Sequence, residues 1–265
     1  MRCYAYRKAD CVETIAEHVL GIVECQAGMW EFEGFKRKIS RIYGVDENIV
    51  GDMLIVAAVL HDVGKTRKDF QDRCSEECVS FTSHYVDSAL IALNLGDLVE
   101  GLDLGPDSLE RRLKKLLSCE RLDRLDIGGL YLLVVVLPVL LHHYAQIVSE
   151  SSIFNGLNSS RSFIEIHEDC VNELLEAVNK VSDQWIKSEV GRELLKKFEK
   201  QVIERRLELG VINSRELEEF SNSYEYVPGR FIVEAAVGIL NLCDGRVAFS
   251  NRNCSANKKE GYRHK

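Results

Sequence analysis

Two apolar runs in this chain end abruptly in histidine. Met53–Leu60 leads directly into His61-Asp62-Val63-Gly64-Lys65, and Leu130–Leu141 leads directly into His142-His143. The second run, extended only by Ile127 and two glycines, falls short of the roughly 20 apolar residues that a membrane helix needs. It also contains Pro138, so it reads as a buried core helix, with no membrane as a partner. Two adjacent imidazoles closing such a helix are poor core residues, because each requires a polar partner. A fold for this chain must therefore bring apolar helices together and give the polar groups at their ends something to bind.

Apolar spacing is helical nearly throughout. Val12–Cys25 repeats apolar residues at Ile15, Val19, Ile22 and Val23, which predicts a first helix. Trp30–Tyr43 predicts a second, stopped at Gly44, and Asp46 is placed to cap a third through Asn48–Leu60. Thr82 or Ser83 starts a helix carrying His84, and Asp107 or Ser108 starts Leu109–Cys119. The core helix is Leu130–Val148. Two or three charged helices fill Ser162–Phe220, with Gly210 as a break. Pro228-Gly229 precedes a last helix, Phe231–Leu242, ending near Asp244. Period-2 alternation is confined to short runs at Cys3–Tyr6 and Val79–Phe81. The expected class is all-α: one helical-bundle domain over residues 1–265, with 156–210 as a variable helical lobe.

The 265 residues are 46% hydrophobic and 29% charged, with three prolines and no low-complexity tract, which argues against a disordered linker. Nine cysteines are an odd number in a long chain whose N-terminus lacks an apolar signal region. Reduced thiols and a cytoplasmic location are expected. Cys74-x₃-Cys78 has no second Cys or His pair at zinc-finger spacing, so it reads as two thiols near a loop. A net charge of −8 argues against broad coating of duplex DNA. Arg111–Arg124 and residues 246–265 are locally basic and read first as a solvated helix face and a chain end.

His18, His61, Asp62, His84, His142, His143 and Asp244 offer a mixed imidazole and carboxylate set. Neutral imidazole suits Mn, Fe, Co, Ni and Zn, and carboxylate suits Mg and Mn. The two oxygens of Asp62 can bridge two ions, an arrangement that stabilises both the attacking and leaving oxygens of a phosphoryl substitution. Lys65 can hold a phosphate beside them. Each residue also has a plain reading: His18 as a packed helix residue, His84 as a residue near a cap, Lys65 as a surface lysine. Asp244 follows Leu240-Asn241-Leu242-Cys243, where a carboxylate is costly unless paired or metal-bound. Five of the seven histidines fall at candidate positions, and it is their combination that points to a metal centre.

This ordered set resembles the HD superfamily of metal-dependent phosphohydrolases, in which an HD dipeptide is joined by an upstream His and a late Asp. Here these are His18, His61-Asp62 and Asp244. Local contexts resemble one branch more closely, the stand-alone CRISPR-associated HD nuclease of type I systems. His61-Asp62-Val63-Gly64-Lys65 followed by Phe70-Gln71 resembles its "HD-x-GK…FQ" pattern, and His84 through Ala89 resembles "H-x-x-x-S-A". Leu141-His142-His143 resembles its paired histidines, and Cys243-Asp244-Gly245-Arg246-Val247-Ala248, with Ser250 nearby, its closing Asp motif. The segment Ser162–Phe220 matches none of these motifs.

The resemblance implies an HD-type helical bundle and a nuclease that needs divalent metal, two ions in its fuller form, drawn from Mn, Ni, Co, Fe or Mg. One ion would be held by His18, His61, Asp62 and Asp244, and the second by Asp62, His84, His142 and His143. Asp62 and Lys65 would serve catalysis. The substrate implied is single-stranded DNA, with RNA left open, and the partners implied are a separate helicase subunit and a crRNA-guided surveillance complex. Two rival readings keep the metal centre: an HD hydrolase of nucleotides or cyclic nucleotides, and a metal-binding regulatory or scaffold module without activity.

Overall fold

The computed structural model describes residues 2–74, 77–117, 126–143, 161–212 and 229–252. Their order is β1 (Tyr4–Lys8), β2 (Cys11–Thr14), α1 (Ile15–Ala27), α2 (Trp30–Tyr43), α3 (Glu47–Leu60), a 3₁₀ turn (Val63–Thr66) and α4 (Lys68–Gln71). Then come β3 (Glu77–Cys78), α5 (His84–Leu98), α6 (Pro106–Leu117), α7 (Ile127–Tyr131), a π turn (Leu132–Val136) and α8 (Leu137–Leu141). The chain continues with β4 (Phe163–Glu165), α9 (Glu168–Gln184), α10 (Glu189–Ile203), β5 (Arg206–Glu208) and α11 (Arg230–Arg252).

Helices carry the fold, as the spacing predicts. α3 is buried continuously from Val50 to Leu60. Neighbouring α2 is amphipathic, burying Phe32, Phe35, Lys36 and Ile39 on one face. Asp46 caps α3 through the amide of Asn48, 2.7 Å away. Gly44 ends α2 in the left-handed region at φ 67°, which a residue with a β-carbon seldom adopts. The 127–141 segment is buried at all but its first residue. Its π turn precedes Pro138, which has no N–H to give the carbonyl four residues back, so the ladder changes register there. One hydrophobic cluster runs from Cys3 to Cys243 and includes α1, α3, α5, α8, α9, α10 and α11. Helix α1 packs against α9 and α11, so both ends of the described chain meet on it.

Several expectations need correction. The helical spacing from Val12 does not begin a helix: Cys11–Thr14 forms β2, and α1 starts at Ile15 behind a Thr14–Glu17 capping box. β2 pairs antiparallel with β1, which pairs on its other side with β3. The alternation at Val79–Phe81 lies just past β3, and Val79 is exposed. Ser83 precedes α5 without a side-chain cap, and α6 starts at Pro106, ahead of the expected Asp107 or Ser108. In the charged C-terminal half, α9 and α10 stand between the paired strands β4 and β5. The last helix extends to Arg252, placing Asp244 in its middle. Parts of Leu109–Cys119, Leu130–Val148, Arg111–Arg124, 156–210, Ser162–Phe220 and 246–265, together with Pro228, lie outside the described residues.

The cysteines differ most from expectation. Disulfides join Cys3 to Cys170, Cys25 to Cys243 and Cys74 to Cys78. The partners of the first two lie 167 and 218 positions apart, so no local spacing announces them. Among the described residues, no helix is long and apolar enough to cross a membrane.

Candidate metal centre

Six elements deliver the candidate residues to one place. α1 carries His18, His61 closes α3, and Asp62 and Lys65 belong to the 3₁₀ turn that follows. His84 opens α5, His142 and His143 follow α8, and Asp244 comes from α11. His18, His61, Asp62, Lys65, His84 and His142 are all buried, while His143 and Asp244 are partly exposed and mark the open side.

Asp62 is the pivot. Its Oδ2 lies 3.1 Å from His18 Nε2, 3.4 Å from His61 Nε2 and 2.5 Å from Lys65 Nζ. Its Oδ1 faces the other way, 2.9 Å from His84 Nε2 and 3.7 Å from His142 Nε2. Asp244 Oδ1 is 3.3 Å from His18 Nε2, and His143 Nε2 is 3.1 Å from His84 Nε2. Two groups result. Asp62, His84, His142 and His143 each present a ligand atom within 4.8 Å of the others, as do His18, His61 and Asp62.

The imidazoles are held from behind. Nδ1 of His61, His84 and His142 lies 2.8, 2.6 and 2.6 Å from the main-chain carbonyls of Ala58, Phe81 and Val139. A carbonyl only accepts, so each Nδ1 carries its proton and each Nε2 faces Asp62. The Nε2 atoms of His61 and His142 and Oδ1 of Asp62 are buried without a hydrogen-bond partner. Buried acceptors left facing one another are costly. Divalent cations satisfy such a set, since neutral imidazole and carboxylate are the donors they take. The residues present therefore fit the metal.

The local field follows from these contacts. Burial opposes charge on His18, but Asp244, Asp62 and Glu13 around it prevail and raise its pKa to about 10. Burial likewise opposes charge on Asp62, yet Lys65 and the imidazoles hold its carboxyl well below the usual range. Burial dominates at His142 and His143, lowering them to about 4 and about 3, so both are neutral at physiological pH.

A second set of residues fixes the HD turn. A β-carbon on Gly64 would come 2.2 Å from the carbonyl oxygen of His84, so only glycine permits this approach of the turn to α5. The Gly64 amide donates to Ser88 Oγ at 2.9 Å, and Arg67 donates to Asp87 at 2.6 Å in a buried ion pair. Gln71 Nε2 donates to the carbonyls of Lys65 and Tyr4, tying β1 to the turn. Phe70 packs edge-on against Phe81, which in turn packs against His84. The sequence marks Ser88, Phe70 and Gln71 only as parts of patterns, and gives no sign of Arg67, Asp87 or Glu13.

Residues 6–99 match the family model described as "Cas3, HD domain". That span holds His18, the HD turn and His84, while His142, His143 and Asp244 lie beyond it and are joined to the group by the geometry. No curated protein matches the chain.

Proposed function

Because residues 6–99 carry the HD domain of the CRISPR-associated Cas3 family, and with it a metal-dependent hydrolase of the HD superfamily, we propose that this chain is a nuclease cleaving single-stranded DNA. The observation that carries this reading is the division of Asp62, whose two buried oxygens face two histidine groups. In this reading His18, His61, Asp62 and Asp244 hold one divalent cation. Asp62, His84, His142 and His143 hold the second, with Mn, Ni, Co, Fe and Mg as the candidate metals. Bound there, the cations lower the pKa of water and offset the charge of a phosphodiester.

The protein's own groups do the rest. The Nδ1 anchors keep each ring turned toward Asp62, so the ligand set is preorganised. Lys65, already within reach of the centre, steadies a non-bridging phosphate oxygen. Most of the centre is buried and only His143 and Asp244 open outward, which favours a thin single strand over a duplex. RNA is a further substrate to be tested. Residues 1–265 act as one nuclease domain, with 156–210 as an added lobe. The partners in this reading are a separate helicase subunit and a crRNA-guided surveillance complex in the cytoplasm. The disulfides must then persist against cytosolic thiols, as they do in intracellular proteins of hyperthermophiles.

The test strips the protein of metal and assays labelled single-stranded DNA and RNA with Mn²⁺, Ni²⁺, Co²⁺, Fe²⁺ or Mg²⁺, with mononucleotides and cyclic nucleotides as controls. Metal-dependent cleavage of the strand, lost in Asp62→Ala with an intact far-UV helical signal, is the expected result. Undiminished cleavage by that variant overturns the assignment. Turnover of the mononucleotides alone, or metal binding without any hydrolysis, favours the rival readings.

A further inference from the structure

His18 is held differently from the other candidate ligands. His61, His84 and His142 turn Nδ1 onto the carbonyl three residues earlier in the chain. Those residues sit at helix ends or in turns, where such a carbonyl is within reach. His18 lies inside α1, whose carbonyls serve the helix ladder. Its Nδ1 contacts a carboxylate from another element instead: Oε1 of Glu13, on β2, at 2.8 Å.

Glu13 is fully buried, and a lone carboxylate there would be costly. It is met by the end of α11. Asn251 Nδ2 donates to Oε1 at 2.8 Å and Arg252 Nε donates to Oε2 at 2.7 Å. The Arg252 guanidinium also lies over the Tyr6 ring, 4.8 Å from its centroid. Asp244, on the same helix, reaches His18 from the opposite side of the ring. One rigid helix thus grips the imidazole twice, at Nε2 through Asp244 and at Nδ1 through the Glu13 relay.

We infer that Glu13 is the positioning residue of the first metal subsite: it accepts the Nδ1 proton of His18 and so commits Nε2 to the cation, while Asn251 and Arg252 hold Glu13 in register. This rests on the two-ion reading above. A carboxylate behind a ligating histidine fixes the ring and makes it a better donor, and its loss typically costs roughly 10–100-fold in metal affinity.

The experiment measures Mn²⁺ binding to the metal-stripped full chain by calorimetry, for wild type, Glu13→Ala, Glu13→Gln and Arg252→Met, with thermal melts alongside. Glu13→Ala is expected to weaken one binding event by roughly 10–100-fold and leave the other unchanged. Glu13→Gln, which keeps an acceptor for Nδ1, recovers most of that loss. A purely structural role predicts instead that all three variants melt earlier and bind Mn²⁺ as wild type does, and that result overturns the inference. Should Glu13→Ala fail to fold, the Nδ1 proton of His18 in the Zn²⁺-loaded protein decides by NMR. It is expected to move upfield in Glu13→Gln, and an unmoved resonance overturns the inference. A wild-type protein that binds no divalent ion sinks the nuclease reading itself, a separate outcome from equal binding by wild type and variants.

Discussion

Gly64 and His84 are in backbone contact: a β-carbon on the glycine would stand 2.2 Å from the histidine's carbonyl oxygen. The HD turn and the start of α5 therefore approach too closely for a side chain to stand between them, and this closeness puts His84 Nε2 2.9 Å from Asp62. Gly64→Ala must push α5 away, also stretching the Gly64–Ser88 hydrogen bond. Overpacking at such a contact costs about 1–3 kcal/mol. The expected outcome is a lower melting temperature together with weaker binding at the subsite that His84 serves. Calorimetry showing divalent metal bound as in wild type would count against the contact as the source of the geometry.

In the two-ion reading Lys65 competes with a cation for Asp62. Its ammonium is 2.5 Å from Asp62 Oδ2, the oxygen shared with His18 and His61, and it lies over the Phe81 ring at 5.6 Å. A cation held at that oxygen would compete with the ammonium for it. Lys65→Met therefore has opposite effects on two measurements: divalent metal binds more tightly, and cleavage slows by about 10²-fold or more if the ammonium steadies the phosphate. Titration calorimetry and single-turnover cleavage separate the two. Parallel losses of binding and rate would show that Lys65 supports the site only by packing.

The local chemistry of the site was legible, and the long-range connections were not. His61-Asp62-Val63-Gly64-Lys65 and His142-His143 stand out because polar groups end apolar runs, and Asp244 stands out as a carboxylate on an apolar helix. Glu13 could not be seen in this way. It sits in a strand that the Val12–Cys25 spacing disguises as the start of a helix, and its partners Asn251 and Arg252 are more than 200 positions away. Asp87 and Arg67 look like surface charges in sequence and become a buried pair only when α5 packs on the HD turn. The cysteine pairs were missed for the same reason, since pairing across 167 or 218 positions is a property of the packed helices.

In the metal-free protein, titration of the site sets an optimum pH for stability. His142 is lowered to about 4 and His143 to about 3, chiefly by burial. A histidine with a depressed folded pKa contributes stability that is complete above its ordinary value near 6.5 and is lost as pH falls through the folded value. For fully buried His142 the loss is on the order of 3 kcal/mol. His18 behaves oppositely. Its raised pKa, about 10, gives a contribution complete below 6.5 and lost as pH rises through 10. Asp62 and Asp244, both lowered, matter only below the normal carboxylate range. Urea midpoints of the chelator-treated protein should therefore peak near pH 6.5 and fall on both sides. A plateau from pH 5 to 9 would contradict these assignments.

The disulfides fasten the beginning of the chain to its later helices. Cys3–Cys170 ties the residue before β1 to α9, and Cys25–Cys243 ties α1 to α11 one residue before Asp244. Cys3 and Cys170 are fully buried, so a reductant reaches that bond only when the structure opens. Cross-links closing loops this long restrict the unfolded chain strongly, typically by 2–4 kcal/mol each, and less than additively where the loops overlap. Cys74–Cys78 closes a loop of a few residues and constrains it far less. Replacing Cys3 and Cys170 by alanine should therefore lower the denaturation midpoint clearly, whereas the same change at Cys74 and Cys78 should scarcely move it. The Cys25→Ala, Cys243→Ala protein should also bind metal more weakly at the Asp244 subsite, because that bond holds α11 against the helix bearing His18. With Cys3, Cys11, Cys25, Cys74, Cys78, Cys170 and Cys243 all in disulfides among the described residues, the denatured but unreduced chain should show far fewer reactive thiols than its nine cysteines. Nine reactive thiols would mean that packing alone keeps the two ends together.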